Sequence, residues 1–108
     1  MDVIERIKSQ LAANPVLLFM KGTPDFPQCG FSAAAVRALN AVGAKYGTVN
    51  IFEDPELREA LKKYSNWPTY PQLYVSGELI GGSDIIIEMH SSGELEKVIS
   101  EAGAVTAN

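Results

Sequence analysis

Val16-Leu17-Leu18-Phe19-Met20 is an uninterrupted apolar run, closed on one side by Pro15 and on the other by Lys21-Gly22. A run this short with no polar alternation predicts a central strand covered on both faces, so elements on two sides of a sheet must be found for it. They are present. Val3, Ile4, Ile7 and Leu11 recur at helical spacing with charges between them and predict an amphipathic helix ending before Asn14-Pro15. From Gly30 an alanine-rich run to Val42 predicts a second helix, which Gly43 closes. Tyr46 to Phe52, with Val49 and Ile51, reads as a second strand. Glu53-Asp54-Pro55 then opens a helix to about Ser65, with proline at its first position.

Trp67-Pro68-Thr69-Tyr70-Pro71 interrupts regular structure, and Gln72–Val75, the turn Ser76-Gly77 and Glu78–Ile80 predict a β-hairpin. After Gly81-Gly82-Ser83-Asp84 a last helical region starts near Ile85. It breaks at Ser91-Ser92-Gly93, resumes over Glu94–Ala102 and leaves 103–108 as a frayed tail. Strands joined by a helix should be parallel, and a hairpin is antiparallel. The expected fold class is therefore α/β, a mixed four-stranded sheet flanked by helices on both faces, with 1–108 forming one domain. The length of 108 residues suits that, and no repeat or linker divides the chain.

Several classes of function are disfavoured. No stretch reaches the roughly 18 apolar residues of a membrane span. The net charge of −4 and the scattering of nine basic residues argue against nucleic acid as a partner. The charged segment from Met1 to Ala13 does not read as a secretory signal, so the cytosol is the expected compartment. A single cysteine excludes an intramolecular disulfide.

That cysteine, Cys29, follows the loop Gly22–Gln28 and immediately precedes a helix. The unpaired N–H groups and positive dipole end of the helix favour a thiolate there, and Lys21 across the loop adds positive charge. The competing reading is an inert buried thiol. In Cys29-Gly30-Phe31-Ser32 the fourth residue is serine, which cannot resolve a mixed disulfide and is otherwise an ordinary first-turn residue. Gly30 leaves space above the sulfur for a bulky partner, though glycine at a helix start is also common turn chemistry.

Met20-Lys21-Gly22, Cys29-Gly30-Phe31-Ser32, Trp67-Pro68-Thr69-Tyr70-Pro71 and Gly81-Gly82-Ser83-Asp84, in this order, resemble the CGFS monothiol glutaredoxins over nearly the whole chain. The resemblance implies a thioredoxin-like fold and a glutathione site. Lys21 and Arg58 would face the glycyl carboxylate, Tyr70 would offer its main chain, and Ser83 with Asp84 would hold the γ-glutamyl end. Pro71 would be the cis proline beside the cysteine. Each has a plainer reading: Arg58 as solvated surface between Glu56 and Glu59, Asp84 as a helix N-cap, Pro71 as a trans breaker. Many relatives carry cysteine where this chain has Ser83, which leaves the backbone N–H there unchanged.

The same resemblance implies a 2Fe-2S cluster shared by a homodimer, with Cys29 as metal ligand. Such a cluster takes four thiolates, and two chains with two glutathiones supply them. The cluster would pass to apo iron-sulfur acceptor proteins, and a BolA-type protein would be a further partner. The stretch Thr23–Pro27 makes the loop before Cys29 longer than a minimal active-site loop needs and is expected to shape the cluster pocket. The alternative function is a glutathione-dependent thiol-disulfide oxidoreductase working through Cys29 alone. His90, the sole histidine, is expected on a helix surface, and Trp67 is either a contact beside the site or packing.

Overall fold

The central strand β1 (Val16–Met20) is buried at every position, and its alternating side chains feed two separate cores. A computed structural model describes residues 2–104. In it the sheet order is β2 (Gly47–Asn50), β1, β3 (Gln72–Val75), β4 (Glu78–Gly81). β1 runs parallel to β2 and antiparallel to β3, which pairs antiparallel with β4. Val16, Leu18 and Met20 pack with Leu39 of α2 (Gly30–Ala41), Ile86 of α4 (Ser83–Ser92) and Leu95 and Ile99 of α5 (Glu94–Glu101). Leu17 and Phe19 face the other way, against Ile7 and Leu11 of α1 (Val3–Ala13) and Leu57 and Leu61 of α3 (Pro55–Ser65). Phe19 meets Tyr74 edge to face at 5.5 Å. This is the mixed sheet between two helical layers that the sequence predicts.

Local chemistry explains most boundaries. Asp2 and Asp54 cap α1 and α3, accepting from the N–H groups of Glu5 and Leu57. Pro55 stands in the first turn of α3, and Asn66 ends that helix in the left-handed conformation at φ 53°. Ser76 and Gly77, both at positive φ, make the two-residue hairpin turn. Gly93, at φ 85°, separates α4 from α5 within the expected break.

Four expectations need correction. The second strand does not extend to Phe52: the side chain of Asn50 accepts from the Phe52 N–H, and Ile51–Glu53 turns into a single 3-10 turn. The second helix stops at Ala41, one residue short of Val42. The last helical region begins at Ser83, not near Ile85, so Gly82 is its N-cap and Asp84 lies inside the first turn. The tail from Gly103 is held at its start, because Ala104 is buried, donates to the Ile99 carbonyl and accepts from the Lys45 N–H. Residues 105–108 of the expected frayed tail lie outside the described residues.

Candidate functional site

Beyond Met20 the paired ladder of β1 ends, and side chains take over its hydrogen bonding. The Lys21 N–H donates to Ser32 Oγ at 3.1 Å, and the Gly22 N–H to Asn50 Oδ1 at 3.0 Å. The Lys21 carbonyl accepts from the Gln28 N–H, while Thr23 and Phe26 exchange backbone bonds. The loop before Cys29 is thus a closed hairpin-like projection with Phe26 exposed at 74%. Gly22 has φ 91°, and a side chain there would strike the Phe26 carbonyl, so this turn requires glycine.

Cys29 stands at the N-cap of α2, part-exposed. The sulfur completes no cap hydrogen bond by geometry, yet the backbone N–H of Ser32, and after it that of Phe31, holds the thiol below its ordinary pKa. Partial burial opposes the shift, and the Lys21 ammonium and the Ser32 side chain add to it. The expected thiolate-favouring position is therefore present, with backbone donors acting more strongly than lysine. Ser32 itself is wholly buried and spends its oxygen on Lys21, so it braces strand against helix. Around Gly30 nothing lies within 4 Å of where a side chain would begin, leaving the approach to the helix start open as expected.

Next to α2 lies a cleft of about 460 Å³ lined by Lys21, Phe31 and Tyr70, among others, and by Ser83, Asp84 and Ile85 of α4. Four of the residues singled out from the sequence, Lys21, Tyr70, Ser83 and Asp84, thus come together. Cys29 is not part of the lining, but its neighbour Phe31 is. Arg58 stands apart from it, with its guanidinium 5.6 Å over the Phe52 ring. Its carbonyl accepts from the Tyr70 hydroxyl at 2.7 Å, fixing the segment before Pro71. The Tyr70–Pro71 bond is cis. Burial raises the Tyr70 phenol well above its ordinary pKa, so that side chain is neutral.

The cleft offers donors that the protein itself leaves unused. Ser83 Oγ and Trp67 Nε1 are buried without a hydrogen-bond partner, and the Gly82 cap has no side chain to satisfy the start of α4. Asp84 is exposed and makes no cap bond, which overturns its reading as the N-cap and leaves its carboxylate facing solvent. A site with one cation, one carboxylate and several free N–H and O–H donors suits a small zwitterionic peptide. No group of three or more His, Cys, Asp or Glu side chains among the described residues could hold a metal ion. His90 is exposed on α4, and no described helix is long and apolar enough to cross a membrane.

Two contributors were not singled out in advance. Gln72 is fully buried, and its amide donates to the carbonyls of Trp67 and Thr69, holding one wall of the cleft. Its position inside a strand concealed that. Asn50 anchors the cysteine loop, and the signal available was the tendency of Asn to bond nearby backbone at the end of a strand.

Residues 16–80 match the glutaredoxin family. Over 101 residues the chain is 55% identical to Glutaredoxin 4 of Escherichia coli, covering 94% of this chain and 88% of that protein. Reduced, apo GrxS14 of poplar superposes with a TM-score of 0.82 at 46% identity, covering 94% of this chain and 93% of that one. A buckwheat glutaredoxin solved in complex with glutathione shares the fold, with a TM-score of 0.85 at 24% identity over 96% and 93% of the two chains. With one cysteine, set in Cys29-Gly30-Phe31-Ser32 at the start of α2, the chain belongs to the glutaredoxin family as a monothiol member of the CGFS type.

Proposed function

We propose that the protein binds glutathione in the cleft beside Cys29. With it, two copies of the chain hold a 2Fe-2S cluster as cargo, to be passed to apo iron-sulfur acceptor proteins. The observation that carries this reading is a lone, part-exposed, thiolate-favouring sulfur next to a cleft whose donors lack partners. One chain supplies one thiolate, so a four-thiolate cluster needs a second chain and two borrowed thiols. The glutathione complex of the buckwheat relative supports the borrowed thiol. Lys21 would face one carboxylate of the tripeptide and Asp84 its ammonium. Half of the cluster's ligands would then be non-covalent guests, which suits surrender to an acceptor. A BolA-type protein is the further partner of this reading.

Anaerobic reconstitution with iron, sulfide and glutathione tests it, reading visible absorbance and particle mass. A coloured dimer from the native chain and a colourless Cys29→Ser variant are expected. A colourless monomer from the native chain overturns cluster carriage.

The accessible, thiolate-favouring sulfur also favours a second reading. Cys29 would attack a glutathionylated protein, release that protein's thiolate and retain glutathione as a mixed disulfide. A second glutathione thiolate would then attack, leaving oxidised glutathione and restoring Cys29. Rapid glutathione-dependent reduction of a mixed disulfide without a stable cluster would put this activity first.

A further inference from the structure

Asn50 closes β2 opposite Met20, at the point where β1 loses its ladder. Its side-chain amide makes three bonds at once. Oδ1 accepts from the Gly22 N–H and from the Phe52 N–H, both at 3.0 Å, and Nδ2 donates to Glu53 Oε1 at 3.2 Å. The bonds to Phe52 and Glu53 are local and belong to the 3-10 turn that Asn50 caps. The bond to Gly22 instead reaches across to the base of the cysteine loop, and what it controls follows from backbone geometry. A side chain leaves its Cα in a direction set by the two rigid peptide planes that flank it. The plane before Lys21 is held by its N–H on Ser32 Oγ at 3.1 Å. The plane after Lys21 is held at both ends: the Lys21 carbonyl accepts from the Gln28 N–H at 2.8 Å, and the Gly22 N–H donates to Asn50. Without Asn50, that second plane would hang on one bond from a loop residue, next to a glycine at φ 91°.

Resting on the reading of this cleft as a glutathione site, we propose that Asn50 is a positioning residue for it: by holding the Lys21–Gly22 peptide, Asn50 aims the Lys21 ammonium at a carboxylate of the tripeptide. Lys21 is the only cation among the described residues that line the cleft, so its direction matters more than that of any other charge there. A lysine with a loosened backbone would still be present, but binding would have to order it, and affinity falls by that cost. The chemistry also explains the amide. Two N–H groups need one oxygen between them, which an aspartate could supply, but Glu53 needs a donor, which an aspartate could not.

Asn50→Leu keeps the bulk and removes the acceptor. Glutathione affinity, read by titration in proton-nitrogen correlation spectra, should fall roughly fivefold, and no further than in Lys21→Gln. In the Lys21→Gln background Asn50→Leu should produce no additional loss, because its effect passes through the lysine. Asn50→Asp combined with Glu53→Gln keeps both accepted bonds and exchanges donor and acceptor in the third, so it should bind as the native chain does. If Asn50→Leu does not fold, Asn50→Gln replaces it. That variant carries the same amide one methylene further, cannot keep both N–H groups in place, and should show the same loss and the same silence without Lys21. Losses that add to those of Lys21→Gln, or a loss in the exchanged pair, overturn the proposal, since Asn50 would then support the fold at large. Native affinity in the Asn50→Leu or Asn50→Gln chain also overturns it and leaves the glutathione reading standing. If the native chain shows no response to glutathione, that reading itself falls, and the proposal with it.

Discussion

Two helices start at the cleft with the same physical endowment, a first turn of unpaired N–H groups at the positive end of a dipole, and they differ in what stands at the cap. At α2 the cap is Cys29, whose thiolate form the N–H groups of Ser32 and Phe31 favour. At α4 the cap is Gly82, which brings no anion at all, and the nearby Ser83 hydroxyl and Trp67 indole also lack partners. One helix start is capped by an ionisable residue of the chain itself, and the other by a residue with no side chain. A third start, that of α3, shows what a purely structural solution looks like. There Asp54 caps Leu57 and pairs with Arg6 at 2.7 Å, so the helix start already has an anion of its own.

The largest effect that bears on this contrast is on Cys29 reactivity. Alkylation by iodoacetamide needs the thiolate. With the thiol held below its ordinary pKa, the rate should reach half its maximum at a pH below that of a free cysteine. Lys21→Gln should raise this midpoint only slightly, because the Ser32 and Phe31 N–H groups act more strongly than the lysine charge. If Lys21→Gln restores an ordinary thiol, the helix start is not what activates Cys29 and the comparison with α4 collapses. The alkylation rate against pH, followed by mass, decides it.

How far the sequence revealed these two ends depends on what each is made of. The end at Cys29 was legible because its function resides in a side chain: one cysteine after a Gly- and Pro-containing loop and before an alanine-rich helix. The layered sheet was equally legible, since the even and odd residues of Val16–Met20 each needed a core. The α4 end was only half legible. Ser83 and Asp84 could be named from the glycine-rich motif, but placing the helix start at Ser83 depends on Gly82 lacking a side chain, a negative property that composition does not announce. Arg58 was legible only as a charge, while its carbonyl, invisible in a sequence, is what supports Tyr70. Asn50 shortened β2 through one side-chain bond that no periodicity could anticipate.

Removing the structural cap sharpens the contrast on the stability side. Asp54→Ala deletes an N-cap and an ion-pair partner, and should lower stability by about 1 kcal/mol, roughly 5 °C in melting temperature. Glutathione binding should not change. The Asp54 carboxyl is held below its usual range by its bond to Arg6 first and then by the Leu57 N–H. Its contribution is therefore complete above the ordinary carboxylate range and is lost as pH falls through the lower folded-state value. Melting curves of native chain and variant should accordingly converge on acidification. Curves that stay parallel into strong acid, or a loss of glutathione affinity, would show that α3 does not serve as the inert reference.

The smallest expected effect lies at Gly30, the first residue of α2. Its backbone needs no positive φ, and a side chain there meets nothing within 4 Å, so the fold gives no reason for glycine. Alanine is the better helix former, and Gly30→Ala should leave stability unchanged or raise it by a few tenths of a kcal/mol. If the glycine is kept for access to the sulfur, the cost must fall on partner size. Iodoacetamide should react with Gly30→Ala as fast as with the native chain, while oxidised glutathione, which must bring its second sulfur in line past the helix start, should react several-fold more slowly. The ratio of the two rates isolates approach from activation, because thiolate content enters both equally. An unchanged ratio would mean that the open space above Cys29 serves no incoming partner, and α2 would then differ from α4 in its cap alone.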